Sequence, residues 1–210
     1  MSQAAVLDTH SHQAHAGVQH EPAESPLTPE SWGKLGMWIF LAADAMTFGA
    51  AIAAYAALRM NNVNWPDPAN YLGIGATAAM TFILIVSSVT MVESLSAIKR
   101  GDMSKFQLFQ GLTVLGGLTF LGMQAREWHE LIFVKGLSIK TSLFSATFFI
   151  LTGFHGCHVT GGVVYNFVYW LRGLAGRIDQ SKANLIEIAG LYWHFVDLVW
   201  ILIFTFVYLI

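Results

Sequence analysis

Charge is scarce in this sequence: 11% of its 210 residues are charged and 55% are hydrophobic, whereas soluble globular domains carry charge on roughly 25% of their residues. With a mean hydropathy of +0.54, water is not its main solvent. There is no basic excess either. The net charge of -2 builds no field that would gather a polyanion, so a nucleic-acid partner is excluded. Cys157 is the one cysteine, which rules out an internal disulfide and any two-cysteine metal centre within the chain. Residues 1–30 hold no apolar core flanked by basic residues, so no secretory signal is expected in them. The first apolar span lies further in and is expected to stay.

Residues 1–31 are polar, with His10, His12, His15 and His20 followed by Pro22, Pro26 and Pro29. That composition cannot bury enough apolar surface to order itself, and a flexible, cytoplasmic His- and Pro-containing tail is expected. The remainder, 32–210, is the membrane domain. A spanning helix needs about 20 largely apolar residues, and the stretches 34–58, 71–98, 106–125, 139–171 and 185–210 qualify. The expected fold is therefore all-α, an integral membrane bundle of five transmembrane helices. Its breaks are turn-rich (Asn61 to Pro68), charged (Lys99-Arg100-Gly101-Asp102) or basic and glycine-containing (Arg172 to Lys182).

Inner loops carry the excess of Lys and Arg. With the N-terminus inside, the inner set is Lys34, Lys99, Arg100, Lys105, Arg172, Arg177 and Lys182, and the outer set is Arg59, Arg126, Lys135 and Lys140. This asymmetry predicts N-inside, C-outside. Small residues recur every fourth position at Gly49, Ala53 and Ala57, and again at Gly153, Cys157 and Gly161. Both stripes are expected to pack against helices.

An ionisable side chain at the bilayer centre costs roughly 2.5–3.5 kcal/mol on the insertion scale, so each one needs a reason. At about 1.5 Å of rise per residue, Asp44 falls roughly 15 Å into the first span. His155 and His158 fall near the middle of the fourth span, and His194 and Asp197 near the middle of the fifth. Each pair has i, i+3 spacing, which places it on one helix face. A buried layer of carboxylate–imidazole hydrogen bonds among these five groups is expected. Such a layer can simply join helices, or it can handle protons. Histidines on two helices can also hold a haem, whereas His155 and His158 fall short of the four ligands of a structural zinc site. Near the outer surface lie Gln124, Arg126, Glu127, Trp128, His129 and Glu130, read as an interfacial anchor. Glu93 and Glu187 fall near the inner surface, within reach of Lys99 or Lys182.

The run Phe148-Phe149-Ile150-Leu151-Thr152-Gly153-Phe154-His155-Gly156-Cys157-His158-Val159 resembles the signature Thr-Gly-x-His-Gly-x-His-Val of subunit III of the haem–copper terminal oxidases, the cytochrome c oxidase subunit III family. Tyr192-Trp193-His194-Phe195-Val196-Asp197-Leu198-Val199-Trp200 is similar to the family's last-helix signature. Gly36-Met37-Trp38-Ile39-Phe40 leading to Asp44, and the Gln124 to Glu130 block, resemble two more of its blocks, and all four occur in family order.

The resemblance implies an accessory subunit of an oxygen-reducing, proton-pumping respiratory oxidase in the bacterial inner membrane. Its direct partner would be subunit I, with subunit II and other respiratory subunits nearby. It would stabilise the catalytic subunit and support proton uptake. Haem and copper belong to those partners, so the resemblance implies no redox centre and no metal here, and it leaves room for bound phospholipid. Asp44 stands where many relatives carry a carbodiimide-reactive glutamate near the proton-uptake side; the carboxylate is kept and its stem is shorter. Arg172 stands where relatives commonly have a basic residue facing a phospholipid headgroup, and an inner-face anchor reads equally well. Mitochondrial relatives have seven helices with a lipid-filled cleft, and this chain resembles the five-helix bacterial form. Asp44 and the His-rich tail are similar to the quinol-oxidase branch, while Tyr192 to Asp197 leans toward the cytochrome c branch. Three alternatives stay open: subunit III of a quinol oxidase, the related subunit of a nitric-oxide-reducing complex, and a membrane haem protein or transporter that uses the His and Asp layer directly.

Overall fold

In the computed structural model, residues 32–63, 65–68 and 72–210 are described. The tail expected over 1–31 lies outside them. Among the described residues, five helices are long and apolar enough to cross a bilayer. They are α1 (Trp32–Met60), α2 (Ile74–Lys99), α3 (Met103–His129), α4 (Leu143–Leu174) and α5 (Ala183–Ile203). α3 and α5 each run on through a wider π turn, Glu130–Val134 and Phe204–Leu209. The Gln124 to Glu130 block therefore lies inside a continuing helix, not at the end of one.

Local chemistry sets the ends. After α2, the Asp102 N–H reaches Ala97 O and the Gly101 N–H reaches Ile98 O, both at 3.0 Å. This paired closure demands a left-handed residue, and Gly101 supplies it at φ 76°. The α4 end repeats the motif, with Arg177 N on Arg172 O at 2.9 Å and Gly176 at φ 65°. Asp102 then caps α3 by accepting from Lys105 N at 3.1 Å. That backbone donor, then the Lys105 side chain, holds its carboxyl below the usual carboxylate range. α4 opens on a reciprocal box: Ser142 Oγ accepts from Ser145 N, and Ser145 Oγ from Ser142 N.

α2 packs on α3 and α5, α3 on α4, and α4 on α5. Trp193 of α5 is the wedge at the centre. A Cβ at Gly117 would lie 2.6 Å, and one at Gly162 2.8 Å, from its ring, so two glycines on two helices make its slot. α1 stands apart from this four-helix core. It rests on α5 and α4 and buries Leu41, Phe48 and Tyr55, a narrow stripe spaced by seven. No helix of this chain covers the small-residue stripe of α1: Gly49 has open space where a Cβ would stand, and Ala53 and Ala57 are exposed. The α4 stripe splits, with Gly153 against Trp128, Gly161 near Tyr192, and Cys157 exposed.

Candidate functional site

Placed on one face of α4 by their spacing, His155 and His158 meet opposite surroundings. The His158 ring reaches Asp44 of α1, with Nε2 3.1 Å from Oδ2, and its Nδ1 lies 2.9 Å from Phe154 O. Phe48 and Phe154 wall the ring at 5.1 and 4.6 Å. Tyr192 of α5 donates to the His158 backbone carbonyl at 2.9 Å, so three helices meet there. A carbonyl can only accept, so Nδ1 is the donor to Phe154 O, and Nε2 stands within hydrogen-bond distance of the Asp44 carboxyl.

His155 is fully buried and belongs to no such bond. Its ring stacks on Trp200 at 4.9 Å and 29°, with the edge of Phe120 at 5.7 Å. Neither ring nitrogen has a hydrogen-bond partner. His194 Nδ1 lies 2.6 Å from Ser88 Oγ of α2, and Ser88 also sits beside the Asp197 carboxyl, whose buried Oδ1 has no partner. The five groups are therefore not one layer of carboxylate–imidazole bonds. The structure joins Asp44 to His158, sets His194 and Asp197 around Ser88, and leaves His155 as an aromatic wedge. Arg172 is exposed in the last turn of α4. Among the described residues, no group of three or more His, Cys, Asp and Glu side chains is disposed to hold a metal ion.

Two polar braces close the bundle ends. Glu187 of α5 takes Lys34 of α1 and Lys99 of α2, each at 3.0 Å, while Lys182 turns to Arg177 O. At the far end Glu127 accepts from Thr77 of α2 at 3.2 Å and Tyr208 at 2.9 Å. Nothing in the sequence pattern marks Ser88, or sets Glu127 apart from the charges beside it.

The likenesses to known proteins agree with this architecture. A model of the family described as "Cytochrome c oxidase subunit III" matches residues 32–210. A cytochrome c oxidase subunit 3 from Alkalihalophilus pseudofirmus is 34% identical over 83% of this chain and 85% of its own length. One from Bacillus sp. (strain PS3) is 35% identical over 83% of this chain and 84% of its own. The cytochrome bo(3) ubiquinol oxidase subunit 3 of Pseudomonas aeruginosa is 34% identical over 98% of this chain and 97% of its own. A multi-pass helical membrane protein carrying these motifs in this order, the chain belongs to the cytochrome c oxidase subunit III family.

Proposed function

We propose that this chain is the accessory subunit III of a proton-pumping haem–copper oxidase, docked on subunit I in the bacterial inner membrane with its N-terminus inside, and that Asp44 and His158 store a proton for that partner. The 3.1 Å contact between them carries the reading. Asp44 rides on the helix that packs least within this chain, so a proton exchanged between it and His158 need not disturb the core behind them. His194 and Asp197 hold the α2–α5 seam, His155 props it, and Arg172 anchors to a headgroup.

Haem and copper are placed in the partner subunits. His155 and His158 suit a haem poorly: His155 is enclosed by Trp200 and Phe120, and His158 spends both ring nitrogens on Asp44 and Phe154. Affinity purification through this chain should recover a haem–copper catalytic subunit, and the separated chain should have no Soret band. A Soret band in the separated chain would sink the reading in favour of a membrane haem protein. The Pseudomonas aeruginosa likeness, which extends over 98% of this chain, favours a second reading in which quinol is the electron donor. A copper-binding subunit II in the same preparation decides against it. For the topology, in a background lacking Cys157, cysteine at position 63 should react from outside only and at 177 from inside only.

A further inference from the structure

Outward hydroxyls of the spans are satisfied at home: Thr47, Thr119 and Thr160 are exposed, and each donates to a carbonyl four residues back on its own helix. Their faces ask nothing of a neighbour. His194 of α5 differs. Its Nδ1 is held 2.6 Å from Ser88 Oγ of α2, while its Nε2 has no hydrogen-bond partner among the described residues and, unlike both ring nitrogens of His155, is not buried. Gly190, one turn back, presents no side chain beside it, and even a Cβ there would stand 4.0 Å from Nε2. Ser88 and His194 each lie about 16 Å along the helix from Lys99 and Ala183 at helical rise, which is near the middle of a hydrocarbon layer about 30 Å thick. The surface around them is apolar and open. Ile85 and Val92 flank Ser88 on α2, and Leu198, Ile201 and Leu202 follow His194 on α5, all between 39% and 57% exposed.

An imidazole nitrogen turned toward acyl chains keeps an unrepaid desolvation cost, because hydrocarbon supplies neither donor nor acceptor. We propose that this α2–α5 face seats a transmembrane helix of another subunit, and that a hydroxyl or carboxamide side chain of that helix hydrogen-bonds His194 Nε2. Ser88 sets the kind of partner. Its one hydroxyl hydrogen has two takers, His194 Nδ1 and the Asp197 carboxyl beside it. Given to Nδ1, it leaves Nε2 a donor; given to Asp197, it makes Nδ1 the donor to Ser88 and Nε2 an acceptor. A hydroxyl or carboxamide both donates and accepts, so it serves either tautomer, whereas an ammonium only donates and a carboxylate only accepts. Hydrogen bonds of this kind join helices within a bilayer, and the apolar side chains on either side supply the packing around it. The proposal rests on the reading of this chain as a subunit of a larger oxidase and adds the surface that holds it there. It does not depend on the proton-storing role of Asp44.

The test maps neighbours in the intact assembly. A benzophenone amino acid is placed at position 92 or 198, and the detergent-purified assembly is irradiated. Both positions should join the same partner polypeptide, on a membrane helix that carries Ser, Thr, Tyr, Asn or Gln within one turn of the joined residue by peptide mass spectrometry. Leu198→Trp, which fills the face and leaves the Ser88 bond in place, should lower recovery of that polypeptide severalfold. His194→Phe should do the same, and His194→Gln, which keeps a donor and an acceptor, should restore most of the recovery. If His194→Phe instead loosens the α2–α5 seam, seen as a lower melting temperature, Leu198→Trp and the cross-links carry the test. A partner polypeptide that is present but joined from neither position overturns the proposal and leaves the oxidase reading standing. Cross-linking only to a second copy of this chain, or full recovery in both Leu198→Trp and His194→Phe, overturns it as well. Absence of any partner polypeptide from the preparation sinks the oxidase reading itself, and this proposal with it.

Discussion

The two mid-membrane carboxylates sit in contrasting settings. Asp197 is 7% exposed on α5, in a seam where Trp193 donates to Ser87 at 3.1 Å and Trp200 to Thr81 at 2.8 Å. Asp44 rides on α1, a helix of 29 residues with three buried side chains, and its ring partner stands on another element. Protein interiors resist local change because every neighbour must move together. Helices with few buried contacts open and shift at lower cost. The contrast teaches that a shared height in the bundle does not mean shared surroundings: the packed seam suits adhesion, and the face less covered within this chain suits the proton-storing role proposed for Asp44.

The largest effect should come from breaking the seam. Trp200 is fully buried, backs His155 and Phe120, and bonds Thr81. Trp200→Ala should cost about 3–5 kcal/mol, seen as a lower apparent melting temperature in detergent and poor recovery of the assembly. On α1, Phe40 is 45% exposed, and Phe40→Ala should cost about 0.5 kcal/mol. Equal losses would erase the distinction between the two regions.

The next effect sharpens the contrast through chemistry. Asp44→Ala should assemble, consume oxygen near normally at low pH, and fall severalfold behind wild type at alkaline pH, where protons are scarce, or over many turnovers. Asp44→Asn keeps a hydrogen bond to His158 and cannot store the proton, so it should share that pH profile. Asp197→Asn should leave the profile alone and change stability instead. Identical pH profiles and durability for wild type and both Asp44 variants, with the subunit present, would reduce Asp44 to helix adhesion.

The spans were legible because twenty-residue apolar runs have one solution in a bilayer, and the glycine turns at Gly101 and Gly176 were legible as breaks. Relative height along the bundle was legible too, since rise per residue is fixed and Asp44 meets His158. Azimuth was not: His155 and His158 share a face by spacing, yet one meets Trp200 and the other Asp44. That choice depends on where α1 and α5 lean, which periodicity leaves open when nearly every position is apolar. The Gly49 stripe meets no helix of this chain for the same reason. Small residues allow close approach and do not by themselves attract a helix. Glu127 was hidden among neighbouring charges, because only the return of α5 brings Tyr208 to it.

The smallest effect tests how α1 is held. Besides its narrow apolar stripe, α1 is tied at its Lys34 end by Glu187, which bridges it to Lys99 of α2. Side-chain exposures of 12% for Lys34 and 52% for Lys99 make the first contact the better shielded of the two. Exposed ion pairs are worth about 0–1 kcal/mol and are screened by salt, while a shared carboxylate restrains two cations with one side chain. Glu187→Gln should therefore lower stability by about 1 kcal/mol at low ionic strength. Raising salt from 0.1 M to 1 M shortens the Debye length from about 10 Å to about 3 Å, so wild type should lose most of that advantage and the two melting temperatures should converge. Lys99→Met should do less than Lys34→Met, because water already screens the Lys99 contact. Limited proteolysis near Asn61–Val63 should rise in Glu187→Gln while protection of α2 to α5 stays constant, which is the signature of one helix loosening from an intact core. Cooperative loss of all five helices in that variant would mean α1 belongs to the core after all, and that Asp44 sits on no looser an element than Asp197.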